Sequence, residues 1–293
     1  MPIQTPSNAP VFSRGASQAS AKPVLSSRAV AAPFSALNCQ DLSVFYGENQ
    51  VVFNVGFDAS EGDILALIGP SGSGKSTVLR ALNRMHEANP ECRVKGSVSF
   101  DGYDIYSKGS DVVAARMKVG MVFQKPNPYP RSIFENIAYG LRIHGKASCR
   151  SEEYFIAEKS LREVGLWREL NGRLEQSAMT LSLGQQQRLC IARTLAINPS
   201  VILMDEPCAS LDSIATANIE CLIQELGSRM TIVMVTPCLL QTARISTRSA
   251  FIFRGRLVEV GSTEKMFSSP RNALTKQYLS GCAIRNLEEY QHA

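Results

Sequence analysis

Apolar runs separated by polar turns alternate with segments of helical periodicity along this chain from residue 37 onwards. The runs at 64–68, 201–204 and 231–236 are apolar almost throughout. Such runs are typical of strands that are buried on both faces of a parallel sheet. Apolar residues with helical spacing follow the first run, and a helix is predicted at 213–226 after the second. This alternation predicts an α/β core with a mainly parallel sheet.

Further strands and one helical segment are predicted outside these runs. Alternating apolar residues and turn residues predict strands at 42–46, 51–57, 98–100 and 119–124, and a hairpin at 250–260 with its turn at 254–256. The proline-rich loop at 125–130 leads into a largely helical segment at 132–177. Because this segment interrupts the alternation of strands and helices, we expect it to form a lobe of its own.

A glycine-rich stretch stands between the strand at 64–68 and the helix after it. It fits G-x-x-x-x-G-K-[ST], the phosphate-binding loop of nucleotide hydrolases. Glycines let backbone N–H groups close around phosphate oxygens, and the helix N-terminus adds a favourable dipole. Lys75 is expected to reach the β- and γ-phosphates, and Ser76 to bind Mg²⁺. The predicted nucleotide-binding residues here are Gly69, Pro70, Ser71, Gly72, Ser73, Gly74, Lys75, Ser76 and Thr77.

Two carboxylates, Asp205 and Glu206, follow the apolar run at 201–204. A strand end places such residues at the carboxyl edge of the sheet, where ligands of α/β proteins bind. We therefore expect Asp205 to hold Mg²⁺ and Glu206 to polarise the attacking water. A carboxylate pair that only caps the next turn is the competing interpretation, and the phosphate loop upstream makes it the weaker one.

The run from Leu181 to Arg188 resembles the signature sequence of ABC-type ATPases, and it stands shortly before Asp205 as in that family. Gln124 matches the glutamine of the family's Q-loop, Tyr46 the aromatic residue that stacks on adenine, and 210–212 the D-loop. The resemblance covers about 37–281. It implies a P-loop NTPase (RecA-like) α/β core with an antiparallel β subdomain and an inserted α-helical subdomain.

The resemblance also implies the boundaries of the domains and the roles of further residues. The ATP-binding domain is expected at 36–285, with its helical subdomain at about 125–184. Gln124 and Glu206 are the implied catalytic residues, and Ser76, Gln124 and Asp205 the implied Mg²⁺ ligands. Two subunits of this kind sandwich two ATP molecules, so that residues of one subunit close over the nucleotide of the other. Those residues are Ser182, Gly184, Gln185 and Asp212.

The stretches at 119–130, 185–193 and 205–208 narrow the resemblance to the ATPase subunit of the bacterial phosphate importer. The Lys-Pro-x-Pro-x-Pro loop at 125–130 is the most specific of them. This resemblance implies ATP and Mg²⁺ as cofactors and a homodimer of ATPase subunits. The implied partners are two transmembrane permease subunits and an external phosphate-binding protein. The implied location is the cytoplasmic face of the inner membrane, as a peripheral protein.

Two positions depart from the family pattern. Leu183 stands where the family usually has glycine, and Pro237 stands where a histidine senses the γ-phosphate and helps to align the water. Proline has no side-chain donor or acceptor and no backbone N–H. Gln241, four residues further on, is a poor replacement. We therefore expect the chain to bind Mg-ATP and to dimerise, but to hydrolyse ATP slowly.

Composition restricts the remaining possibilities. The net charge of +5 is mild and no dense basic tract is present, so no nucleic-acid partner is expected. No apolar run approaches the roughly 20 residues of a membrane-spanning helix. The eight cysteines lack C-x-x-C spacing and are interpreted as small buried hydrophobic residues. A tail at 1–35, rich in Ser, Ala and Pro, is expected to be disordered, and 286–293 to be a C-terminal tail.

Several other functions stay open at this point. Pro237 and Leu183 leave room for a degenerate or regulatory ABC-type paralogue. Another anion or a polar amino acid is a possible cargo, because the cargo pocket lies in other subunits. A soluble ABC-type protein that acts on nucleic acid or ribosomes ranks below these, because such proteins usually have two nucleotide domains or long coiled coils. This chain has one phosphate loop, one signature sequence and no heptad run.

Overall fold

The computed structural model describes residues 35–170 and 172–281. The tail predicted at 1–35, apart from its last residue, and the tail predicted at 286–293 lie outside the described residues. In chain order the strands are β1 (Ser35–Tyr46), β2 (Asn49–Ser60), β3 (Ile64–Ile68), β4 (Cys92–Phe100), β5 (Tyr103–Asp104), β6 (Val119–Val122), β7 (Val201–Asp205), β8 (Thr231–Val235), β9 (Arg248–Phe253) and β10 (Arg256–Ser262).

In chain order the α-helices are α1 (Lys75–Ala81), α2 (Val112–Lys118), α3 (Ile133–Ile143), α4 (Arg150–Glu163), α5 (Trp167–Leu170), α6 (Leu183–Leu195), α7 (Ser213–Gly227), α8 (Leu239–Ile245), α9 (Thr263–Ser268) and α10 (Ala273–Leu279). Helices alternate with the strands β6, β7 and β8 of the parallel sheet, whereas α3, α4, α5 and α6 follow one another without a strand between them. The helix after the phosphate loop is shorter than its apolar spacing suggests. It ends at Ala81, and Met85 begins a separate 3-10 turn.

Two sheets build the fold. One has the strand order β10-β9-β3-β8-β7-β6, and it is parallel except where β9 meets β10. The other is antiparallel, with the order β2-β1-β4-β5. The α/β core with its mainly parallel sheet is thus confirmed, and an antiparallel sheet stands beside it. The strands predicted at 119–124 and 231–236 end earlier, at Val122 and Val235.

The central strands are buried on both faces, as their continuous apolar runs predict. On β3, Leu65 and Leu67 face the cluster that contains α1 and the antiparallel sheet. Ala66 and Ile68 face the opposite cluster, which contains residues of α3, α4, α6 and α7. The parallel sheet is therefore held between two apolar layers. Polar side chains lie at the carboxyl ends of its strands, where ligands of α/β proteins bind.

The segment predicted as helical at 132–177 contains α3, α4 and α5, and it continues in turns after Leu170. Its buried residues, such as Phe134 and Leu161, belong to the same apolar cluster as Ala66 and Ile68 of β3. Arg142 on α3 ties the first two helices together, because its guanidinium pairs with Glu153 on α4 at 2.7 Å. The segment is thus packed onto the core through shared apolar residues.

The turn between β9 and β10 connects the two sheets with the phosphate loop. Gly255 donates its N–H to Ser73 O at 2.9 Å and accepts from Phe53 N at 2.8 Å. Its φ of +76° is left-handed, and a Cβ at this position would lie 2.2 Å from Val51 O. A side chain here would therefore push apart the strand, the turn and the loop that meet at this glycine.

We predict that Gly255→Ala lowers the free energy of unfolding by about 3 kcal/mol, from left-handed strain plus the clash with the backbone. The matched control is Gly102→Ala, because Gly102 has a φ of +79° but nothing within 4 Å of an added Cβ. Gly102→Ala therefore introduces the left-handed strain alone and should lower the free energy of unfolding by about 1 kcal/mol. Urea denaturation of the two variants measures the difference, and equal losses would contradict the junction described for Gly255.

Candidate functional site

The phosphate loop occupies the turn from the end of β3 to the start of α1. Gly69 has a φ of +146°, and a Cβ there would lie 2.1 Å from Ile252 O, so glycine is required. Gly74 precedes α1 with a φ of 99°. Gly72 has a φ of +76° and open space around it. A side chain would clash at Gly69 and would be strained at Gly72 and Gly74, so the glycines let the loop fold tightly before the N-terminus of α1, which suits an anion.

Lys75 is buried, and its ammonium is bound by the loop itself. Nζ donates to Gly69 O at 2.9 Å and to Pro70 O at 2.8 Å. Burial lowers the pKa of Lys75, while the carboxylates of Glu206 and Asp205 act in the opposite direction. Ser73, also buried, has a hydroxyl without a hydrogen-bond partner. A phosphate group would give both side chains the anionic partner that they lack, so the loop fits a nucleotide.

Asp205 lies at the end of β7 with only 4% of its side chain exposed. Its Oδ1 accepts from Ser76 Oγ at 2.7 Å, and its Oδ2 pairs with Arg80 Nη2 at 3.3 Å. The structure thus brings Ser76 and Asp205 together, as the sequence predicts. A hydroxyl and a carboxylate are the oxygen ligands that Mg²⁺ prefers, so this pair fits the metal. Within 35–170 and 172–281, no cluster of three or more His, Cys, Asp or Glu residues suits a metal ion.

Glu206 directly follows Asp205 and has a left-handed backbone, with a φ of 46°. Its N–H donates to Val235 O at 2.9 Å, which ties this strained residue to the neighbouring strand β8. Its carboxylate accepts from Gln124 Nε2 at 2.9 Å. Left-handed backbone in a non-glycine residue costs free energy and is most frequent at functional sites. The two residues predicted as catalytic are therefore in direct contact.

Pro237 follows β8, and the strand order explains why this position matters. β8 lies between β3, which carries the phosphate loop, and β7, which carries Glu206. Pro237 and Glu206 line the same cavity of about 240 Å³. The segment after β8 therefore faces the candidate site, and Pro237 contributes no polar side chain to it.

Gln241 lines the same cavity as Pro237 and Glu206, but its amide is engaged by the hydrogen bonds that it forms. Its Oε1 accepts from Thr236 Oγ1 at 2.6 Å, and its Nε2 donates to Glu220 at 3.2 Å. Glu220 in turn pairs with Arg244 at 2.7 Å. Both polar ends of the Gln241 amide are thus already used in this network. This geometry agrees with the expectation that Gln241 is a poor replacement for a histidine.

The signature residues and the D-loop residue lie at the N-termini of two adjacent helices. Ser182 caps α6 in a capping box with Gln185, and Asp212 caps α7 by accepting from Ala215 N at 2.8 Å. A Cβ at Gly184 would lie 2.8 Å from that of Ala215, so only glycine allows this approach of the helices. These N-termini form one face, which we call the signature face, and it also exposes Leu183 and Ile214.

Glu169 on α5 is a residue that the sequence did not single out. It accepts from Arg188 at 2.6 Å and 2.9 Å, and from Gln185 Nε2 at 3.0 Å. The hydrogen bonds with Arg188 hold the pKa of this carboxyl below its usual range. Glu169 therefore fixes the start of α6 and the signature face. Nothing in the sequence pattern could have identified it, because its partners are known only from the packing of α5 on α6.

Tyr46 lies at the end of β1, half-buried, opposite Asn49 and Cys92. Val51, early on the next strand, lies against the phosphate loop. A Cβ added at Gly74 would be 3.4 Å from the Val51 carbonyl oxygen. The hairpin that carries Tyr46 is thus anchored next to the loop. None of the helices among the described residues is long and apolar enough to cross a membrane.

Comparisons with known proteins bear on the family and the fold of this chain. The family model described as ABC transporter matches residues 52–209, which is more than half of the chain. One similar solved structure is cbiO1 of Clostridium perfringens, part of the ABC transporter complex cbiONQ. It has 22% identity and a TM-score of 0.70, over 80% of this chain and 91% of that chain.

A second similar structure is a bacterial Atm1-family ABC exporter with ATP bound. It has 24% identity and a TM-score of 0.70 over 85% of this chain. The match spans only 42% of the exporter's chain. At this level of identity, both structures support the fold alone. They agree with the assignment of the described residues to a P-loop NTPase fold.

Proposed function

Because this chain belongs to the ABC transporter family, we propose that it is the ATP-hydrolysing subunit that energises import of inorganic phosphate through an ABC transporter. One observation carries the hydrolytic part of the proposal. The loop with Lys75, the Ser76–Asp205 pair and the Gln124–Glu206 pair converge at one edge of the parallel sheet. Each pair joins residues that are far apart in the sequence, and each has the chemistry that phosphoryl transfer requires.

In this proposal, residues 69–77 bind the phosphates of ATP. Lys75 leaves the carbonyls of Gly69 and Pro70 and moves its charge to the β- and γ-phosphates. Its buried position strengthens that interaction, because few water molecules compete for the ammonium. Ser76, Asp205 and Gln124 would hold Mg²⁺, which neutralises charge on the phosphate oxygens when it is bound.

Glu206 polarises the attacking water, and its contact with Gln124 keeps it from doing so without nucleotide. The 2.9 Å hydrogen bond occupies an oxygen that the water needs. Nucleotide binding draws Gln124 towards the metal site and releases the carboxylate. The left-handed backbone of Glu206 supports this role, because strain of this kind is most frequent at functional sites.

A second copy of the chain completes the site. Ser182 and Gly184 supply a hydroxyl, a backbone N–H and a helix N-terminus, which together suit the γ-phosphate of the opposing subunit. Asp212 lies on the same face. Gln185 contributes through the capping box that shapes this face, and Tyr46 stacks on the adenine. The exposed side chains of Leu183 and Ile214 support the idea that the signature face is covered in the working assembly.

The permease subunits dock, in this proposal, into a groove of about 420 Å³ beside the Gln124 loop. Phe123, Tyr129 and Arg193 are among its lining residues. Arg193 donates to Asn127 at 2.6 Å and lies 4.6 Å over the ring of Tyr129. The loop at 125–130 is thereby fixed to α6, so it can pass movement of Gln124 to a partner. This docking gives the protein a peripheral location at the cytoplasmic face of the membrane.

Inorganic phosphate is proposed as the cargo because the loop at 125–130 and the stretches around it resemble the phosphate importer. An external phosphate-binding protein would deliver the anion to the permease subunits. A regulatory paralogue that binds ATP without driving transport is the second candidate. The observation that favours it is Pro237, which adds no polar side chain to the cavity that it lines together with Glu206.

We predict that the wild-type protein hydrolyses Mg-ATP slowly and that Pro237→His raises kcat about tenfold, which corresponds to ~1.4 kcal/mol of transition-state stabilisation. The dissociation constant for ATP should stay the same, because the added imidazole acts on the γ-phosphate and the water. Pro90→His is the matched control, since Pro90 is also exposed and lies outside the site. Equal and brisk steady-state turnover in wild type and Pro237→His would refute the assigned defect.

Co-purification tests the cargo. We expect the tagged protein, expressed in its own cells at low phosphate, to retain two permease subunits that support phosphate uptake. Lys75→Met should keep the permease subunits bound but abolish the uptake of radiolabelled phosphate. Retention of a permease for a different anion or for an amino acid would overturn the phosphate assignment and leave the ATPase assignment intact. Purification without any permease would favour the regulatory paralogue.

A further inference from the structure

Gln187 lies in the middle of α6, and only 1% of it is exposed. Its Nε2 donates two hydrogen bonds to main-chain carbonyls outside the helix. One goes to Phe123 O at 3.2 Å and the other to Pro207 O at 3.1 Å. A single buried amide therefore clamps two loops that are distant in the sequence. The other polar atom of the side chain, Oε1, forms no hydrogen bond with either loop.

The two carbonyls flank the residues proposed as catalytic. Phe123 directly precedes Gln124, and Pro207 directly follows Glu206. Gln124 and Glu206 are in contact with each other at 2.9 Å. The Gln187 amide thus holds the two backbones on one side while the Gln124–Glu206 hydrogen bond joins their side chains. A change in the position of Gln187 would therefore act on the backbone beside each residue and alter the distance between their side chains.

The helix that carries Gln187 begins at the signature face. Ser182 caps α6, and Gln187 follows five residues later, in the second turn of the helix. A rigid helix of this length moves as a unit, so a displacement of Ser182 by an opposing nucleotide reaches Gln187 directly. The path from the signature face to the Gln124–Glu206 pair consists of one helix and two hydrogen bonds.

The side chain is also poorly suited to a purely structural role. Gln187 Oε1 is buried and has no hydrogen-bond partner among the described residues. Burying an unpaired acceptor costs about 1–3 kcal/mol, so an apolar side chain of similar size would pack at lower cost. What glutamine adds at this position is the pair of donors, and both donors are used on the catalytic loops.

We infer that Gln187 is a positioning residue that couples the signature face of one subunit to the Gln124–Glu206 pair of the same subunit. When an opposing nucleotide engages Ser182 and Gly184, α6 shifts and the Gln187 amide draws the Phe123 and Pro207 backbones with it. That movement separates Gln124 from Glu206 and frees the carboxylate for the water. The inference rests on the proposed ATPase function, and it adds the route by which closure of the dimer starts hydrolysis.

Gln187→Met tests the inference, because methionine keeps the size of the side chain and removes both donors. We expect the rate of single-turnover ATP hydrolysis to fall at least about tenfold, while the ATP dissociation constant stays within about threefold of wild type. Gln186→Met is the matched control. Gln186 is a glutamine on the same helix whose amide donates only to Leu181 O, at 3.0 Å, so its hydrolysis rate should stay near that of wild type.

A double-mutant cycle distinguishes positioning from a general loss of packing. If Gln187 acts through Gln124, its substitution should have little further effect on hydrolysis in a Gln124→Ala protein. Additive losses in the double mutant would overturn the inference, as would a wild-type rate for Gln187→Met or a parallel loss of ATP binding. Gln187→Leu, which also lacks the donors, gives a second variant if the methionine protein fails to fold.

The wild-type protein serves to separate the two claims. If it neither binds nor hydrolyses ATP, the proposed function fails, whatever the variants do. If it binds and hydrolyses ATP but Gln187→Met behaves like Gln186→Met, only the coupling role fails.

Discussion

The hydrogen bond between Ser76 and Asp205 joins the two halves of the site across the parallel sheet. Ser76 lies in the first turn of α1, after β3, whereas Asp205 ends β7, and β8 lies between these strands. The bond can form only because all three strands are buried, parallel and in register, so that their carboxyl ends reach the same edge. The contact of Gln124 with Glu206 and the position of Pro237 depend on the same alignment.

The groups proposed to act on ATP are mostly satisfied by one another. Lys75 binds carbonyls of its own loop, Asp205 accepts from Ser76 and Arg80, and Glu206 accepts from Gln124. In the proposed function, Mg-ATP replaces these contacts. The loops that carry Gln124 and Glu206 are also held by Gln187, which connects them to the signature face. In the proposed mechanism, these hydrogen bonds link nucleotide binding to movement of α6.

Much of the fold could be predicted from the sequence, because buried parallel strands have continuous apolar runs and the phosphate loop has a glycine pattern that sterics require. The ends of elements were harder to predict. Val122 and Val235 end their strands one or two residues early, where side chains must turn into the site. Glu169 and Gln187 could not be identified as site residues, because their importance arises from contacts between elements that no local pattern encodes. The left-handed backbone of Glu206 is equally invisible in the sequence, since it follows from the packing of β7 against β8.

The central claim is that each chain holds only half of a site, with the phosphate loop and the signature face serving different nucleotides. Analytical ultracentrifugation of a Glu206→Gln protein tests it most directly, because ATP would be bound but not consumed. The account predicts a monomer without nucleotide and a dimer with Mg-ATP, and Ser182→Arg on the signature face should abolish the dimer while leaving ATP bound. A protein that stays monomeric when saturated with Mg-ATP would contradict the account.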